Sequence, residues 1–140
     1  MLNTKLYKAV YQLAEKLIKA ANKNDEPAFN TYYAELNDIC TINENTEKDH
    51  PVQWETLADF TDDTDAAITL YEKALGKAIE ANAKDYIASI YYSMAQLKLE
   101  CNQTAGAIEN LQAAKVSANK IEDKELKGQI EELLEQLVEM

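Results

Sequence analysis

Apolar residues recur at intervals of three and four from the start of the chain. Leu6, Val10, Leu13, Leu17 and Ala21 form one stripe of a helix over residues 3–23, thickened by Tyr7, Ala14 and Ile18. Asn22-Lys-Asn-Asp-Glu-Pro breaks the pattern, with Asp25 expected as an N-cap and Pro27 inside the next first turn. A second helix is expected over about residues 27–43, turning Phe29, Tyr32, Tyr33, Leu36, Ile39 and Cys40 toward its neighbours. Residues 43–50 are polar and acidic and read as a connection. A shorter helix from Pro51 to about Phe60 carries Trp54, Leu57 and Ala58, and Thr61-Asp-Asp-Thr-Asp follows as a turn of capping residues.

Four helices are left to come. One runs through Ala67, Ile68, Tyr71, Ala74, Leu75, Ala78 and Ile79 to near Asn82. The next, about 84–101, shows Ile87, Ile90, Tyr91, Met94, Leu97 and Cys101; another, about 104–119, presents Ala107, Ile108, Leu111 and Ala114. The last, about 123–138, has an apolar face of Leu126, Ile130, Leu133, Leu134 and Leu137. Its other face is acidic, as suits a helix that caps a stack and keeps it soluble. Ala28-x3-Tyr32, Ala67-x3-Tyr71 and Ala107-x3-Leu111 recur 39 and 40 residues apart. A small residue with a large one four positions on gives a helix a close-contact face and an anchor beside it. Repeated at near-constant period, this predicts stacked helical hairpins in a single domain over residues 1–140.

These residues resemble the tetratricopeptide repeat (TPR), which pairs an aromatic, a leucine and a small residue in its first helix with Ala-x3-Phe/Tyr in its second. Tyr91-x2-Met94-Ala95 with Ala107-x3-Leu111-x2-Ala114 is the nearest match. Trp54-x2-Leu57-Ala58 with Ala67-x3-Tyr71-x2-Ala74 is the second, and Leu13-Ala14 with Ala28-x3-Tyr32 the third. The interval of about 40 residues exceeds the family's roughly 34, and the closing proline is absent. The resemblance implies an all-α, short right-handed solenoid of about seven helices, with units near 3–43, 51–82 and 84–119 and a capping helix near 123–138. It also implies a concave groove that receives a peptide or partner helix. Its candidates are Lys8 in the first unit, Gln53 and Thr56 in the second, and Ser89, Tyr92, Ser93 and Gln96 in the third.

Eight tyrosines add a reading of their own. In the pairs Tyr32-Tyr33 and Tyr91-Tyr92 the neighbours lie about 100° apart on a helix, so both cannot face one core. Tyr33 and Tyr92 are therefore candidates for contact with a partner.

Composition narrows the picture. Only three glycines and two prolines leave little material for strands and tight turns. Net charge is −11, unevenly spread: residues 1–24 hold five lysines and one glutamate, residues 37–65 nine acids and Lys48, and residues 121–140 seven acids and two lysines. Most of such a surface repels nucleic acid and anionic lipid, so neither is an expected partner. The chain has no arginine, which removes the guanidinium fork that clamps carboxylates and argues against a co-chaperone type of carboxylate clamp. No apolar run nears the roughly 20 residues needed to span a bilayer, and a cytoplasmic location is the default expectation.

Chemistry finds thin support. There is no glycine-rich phosphate loop, HExxH or CxxC. Asp59, Asp62, Asp63 and Asp65 cluster, but a calcium loop counted from Asp63 would need a glutamate where Ala74 stands. These aspartates read as helix caps. Cys40 and Cys101 read as buried thiols, and His50 as a surface residue. No metal, cofactor or catalytic residue is expected. The function expected is protein binding, as an adaptor or regulator. The alternatives are a dedicated secretion-type chaperone or a self-associating helical domain that forms a homodimer through a ridge of Leu133, Leu134, Leu137 and Val138.

Overall fold

A computed structural model describes residues 3–139. Its described residues form seven helices: α1 (Thr4–Asn22), α2 (Glu26–Asn43), α3 (Pro51–Asp59), α4 (Thr64–Glu80), α5 (Lys84–Glu100), α6 (Thr104–Ala118) and α7 (Lys124–Val138). The architecture is all-α, with sequential helices stacked as hairpins. Two compact units divide the chain, one ending at Lys77 and the other beginning at Ala78.

Helix boundaries follow local chemistry. Asn3, Asp25, Asp63 and Asp123 each accept, through a side-chain oxygen, the backbone N–H three residues on, at 2.9 to 3.2 Å. Each bond satisfies one of the orphan donors of a first helical turn. The histidine also serves as a cap. Its Nδ1, on His50, accepts from the Val52 N–H at 3.1 Å, one residue ahead of Pro51 at the start of α3. His50 is half-buried, a cap where a surface residue was expected.

The short links α1–α2, α4–α5 and α5–α6 share one geometry. Asn24, Asn82 and Asn102 have φ of 54°, 54° and 60°. The residue after each donates back across the turn, Asp25 to Ala20, Ala83 to Ala78 and Gln103 to Lys98, at 2.8 to 2.9 Å. This is the Schellman ending, and asparagine is the non-glycine residue that best tolerates the left-handed region it needs. It turns the chain within three residues, and α1 with α2 and α5 with α6 pack side by side as a result.

In the first unit α1 buries Val10, Leu13, Leu17 and Ala20, α2 buries Leu36 and Cys40, and α3 buries Trp54, Leu57 and Ala58. In the second, Ala88 and Ala95 of α5 pack in one cluster with Ala107, Leu111, Ala114 and Ala118 of α6 and Ile130 of α7. Alanines at these positions let the helix backbones approach closely, and Leu111 and Ile130 fill what remains. Of the recurring pairs, Ala67/Tyr71 and Ala107/Leu111 are buried, and Ala28/Tyr32 is half-buried.

Candidate functional site

The polar connection at 43–50 proves to be tightly held. Asp49 Oδ1 accepts from Trp54 Nε1 at 2.7 Å and from Gln53 Nε2 at 3.3 Å. Its other oxygen accepts from the Asn45 N–H at 2.7 Å and pairs with Lys77 of α4 at 3.0 Å. Lys77 also donates to Asn45 Oδ1 at 3.1 Å. One turn earlier, Lys73 pairs with Glu44 and lies 4.2 Å from the centre of the Trp54 ring. Two lysines of α4 thus close the acidic loop over the tryptophan. Burial of Asp49 opposes its ionisation, but the Asn45, Trp54 and Lys77 bonds outweigh it and hold the carboxyl below its ordinary 3.8. Beneath lies Cys40, whose thiol donates to the Gln53 carbonyl at 3.3 Å. Burial first, and then the Asp49 charge, push that thiol up to about 12, so it is inert as a nucleophile.

Several expected contact residues are engaged in the chain's own structure. Gln53 is fully buried with its Nε2 on Asp49, so it presents nothing to a partner; its place on the polar side of a short helix is overridden by the loop folded above it. Thr56 is half-buried and donates to the Val52 carbonyl at 2.6 Å. Tyr33 bonds Thr61 through its hydroxyl at 2.7 Å and stacks on Phe29 at 6.4 Å between ring centres. Tyr92 packs, like Tyr91, against the core of the second unit. Ser89 and Ser93 are half-buried, and Gln96 and Lys8 are exposed. Of the expected dimer ridge, Leu133, Leu134 and Leu137 pack half-buried on the same core and Val138 is exposed.

Exposed apolar side chains fall in a row on α1. Tyr7, Tyr11 and Ile18 are 41%, 56% and 51% exposed. The helical period sets them in one row, Ile18 about 20° and Tyr7 about 40° around the axis from Tyr11. Tyr7 and Ile18 were expected to thicken the buried stripe. They belong instead, with Tyr11, to the exposed edge of one continuous apolar arc, a division that the helices packed on its other side impose. Beside this row stand the exposed Lys8 and Lys19, and Lys5, Lys16 and Lys23 lie further round. Lys16 reaches over the Tyr32 ring at 5.5 Å. A depression of about 170 Å³ opens between α1 and α2 there, walled by Lys16, Lys19, Lys23, Ala28 and Tyr32.

Among the described residues no group of three or more His, Cys, Asp and Glu is placed to hold a metal ion. Of the aspartate cluster, Asp63 caps α4 and Asp59 accepts the Tyr71 hydroxyl at 2.5 Å. No helix among the described residues is long and apolar enough to cross a membrane. No protein-family model, curated protein or solved structure matches this chain.

Proposed function

We propose that this chain is a non-catalytic protein-interaction module, an adaptor or regulator acting in the cytoplasm. The observation that carries the reading is the row of Tyr7, Tyr11 and Ile18, three large apolar side chains left in solvent on one face of one helix. The other exposed large apolar side chains among the described residues, Ile42, Ile79, Val116 and Val138, stand singly on four different helices. Scattered single exposures are ordinary on a protein surface, whereas an aligned row with an aromatic majority is characteristic of contact surfaces.

The finer reading is a TPR-like repeat. The burial of Ala67 with Tyr71 and of Ala107 with Leu111 favours it, because the family pattern needs those pairs at helix contacts. Ser89, Ser93 and Gln96 remain its candidates for a peptide groove in the second unit. The test is capture of partners on immobilised protein at about 50 mM and about 150 mM salt, with the mass of the free protein measured in parallel. Enrichment of one protein at both salts is the expected result. A monomer that captures nothing specific would overturn the reading.

A further inference from the structure

We infer that the outer face of α1 docks an amphipathic helix of a partner protein, with an apolar seam over Tyr7, Tyr11 and Ile18 and carboxylates on the flank that meets Lys8 and Lys19. This deepens the interaction-module reading and rests on it.

Geometry selects the shape of the occupant. The row spans about 16 Å from Tyr7 to Ile18, some three turns of helix. A straight ridge on a helix is met by the groove of another helix, whose side chains repeat on the same three- and four-residue rows. An extended peptide would have no strand edge to pair with, since the described residues contain no strand.

Charge selects its chemistry. Lys8 and Lys19 stand only about 20° apart around the helix and about 60° to 80° from Tyr11, on one side of the row. Residues 1–24 carry five of the fourteen lysines in the chain and a single acid, Glu15, which falls between Tyr11 and those two lysines. Screening confines charge effects to about 8 Å at physiological salt, so an approaching helix senses the lysines of this face, with Glu15 and the Asp25 that shares the depression with Lys19, more than the chain's total of −11. A second copy of this chain is a poorer occupant. Two α1 faces would oppose their own lysines, and the acidic α7 has turned Leu133, Leu134 and Leu137 to its own core.

The test uses the full chain and two fluorescein-labelled helical peptides with the same leucine seam, one flanked by glutamates and the other by lysines. Anisotropy titration is expected to show the acidic peptide binding at least about tenfold more tightly, and more weakly as salt rises. Tyr11→Ala with Ile18→Ala lowers that affinity about tenfold while leaving the thermal midpoint within a degree or two, as both side chains are exposed. Lys8→Gln with Lys19→Gln weakens it, and Glu15→Gln strengthens it, a gain that a merely structural role would not give. Equal binding of the two peptides, or indifference to the Tyr11 and Ile18 changes, would overturn the assignment. So would a dimer dissolved by Ile18→Asp, which would make a second copy the occupant. A lysate partner held equally by the native chain and by Ile18→Asp would sink the α1 assignment and leave the interaction module standing. If neither chain holds a partner and neither peptide binds, both fail.

Discussion

The indole N–H of Trp54 donates to Asp49 Oδ1 at 2.7 Å, and every other polar group that reaches this carboxylate is also a donor: Gln53 Nε2, the Asn45 N–H and Lys77 Nζ. Two oxygens with about four lone-pair sites meet four donors. The arrangement locks the end of the 43–50 loop to α3 and α4, so the acidic connection acts as a clasp within the first unit. It also explains an acidic side chain that is 6% exposed: its charge is neutralised by Lys77 and its lone pairs are filled.

Asp49→Asn therefore puts an amide donor where only donors wait. Expected is a loss of about 2–3 kcal/mol, comparable to deleting a hydrogen bond to a charged group and leaving its partners unmet. Urea unfolding followed by Trp54 fluorescence measures it, and an unchanged midpoint would show that the clasp contributes nothing.

The two perturbed aspartates should respond to pH with opposite signs. Asp49 is held below 3.8, so its stabilisation is full above that value and fades as pH falls through the lower, folded value. Asp59 is an exposed residue whose carboxyl turns in to the Tyr71 hydroxyl, and local desolvation there shifts it upward, with that hydroxyl pulling partly back. Its contribution is full below 3.8 and is lost as pH rises through the folded value. At pH 7 Asp59→Asn, which keeps an acceptor for Tyr71, should leave stability unchanged or raise it, whereas Asp49→Asn lowers it. Thermal melts of both variants at pH 7 decide this, and equal losses would contradict it.

Neither cysteine is in a disulfide. Cys40 is buried, with its thiol raised to about 12, while Cys101 is half-buried at the end of α5. At pH 8 a thiol reagent should modify Cys101 at once and Cys40 only upon unfolding. Equal rates for the two in the native protein would mean that the first unit opens readily.

The helix pattern was legible in the sequence almost to the residue, because amphipathic periodicity and capping residues are local signals. Asp25 as N-cap, Pro27 in the first turn of α2, Asp63 as cap of α4 and Asp65 in its first turn lie where their chemistry puts them, whereas Asp59 was expected as a cap and instead holds the Tyr71 hydroxyl. What escaped was whatever joins distant positions. Nothing in the period of residues 43–50 tells that Asp49 will meet Lys77, or that the loop will cover Gln53. The exposed row on α1 was half legible, since Tyr7 and Ile18 stood out as apolar but were assigned to the neighbouring stripe. A wide apolar arc on one helix can be a single broad core face or two adjacent faces, and only the helices packed around it decide which.

Asn102 tests the tight turns. At φ of 60° an alanine would place its Cβ against backbone, costing about 1–2 kcal/mol, whereas glycine removes the strain. Asn102→Ala should lower stability and Asn102→Gly should hold it. If the two variants melt together, the left-handed residue is not what sets the α5–α6 link.

The alanine-lined contact of α5 with α6 gives the sharpest packing test. Ala88, Ala95, Ala107 and Ala114 are all 0% exposed in one cluster, so the helices meet where side chains are smallest. Replacing Ala107 by leucine adds three carbons to a filled interior and should cost about 1–3 kcal/mol through displaced backbone and strained rotamers. Val116 of the same helix is 61% exposed, and Val116→Leu should stay within about 0.5 kcal/mol. The pair separates packing from helix propensity, because leucine suits a helix at either position. A small cost at Ala107 would mean that α6 can slide or tilt away from α5. The close contact would then be a preference of the helices, and Leu111 and Ile130 would carry the core of the second unit.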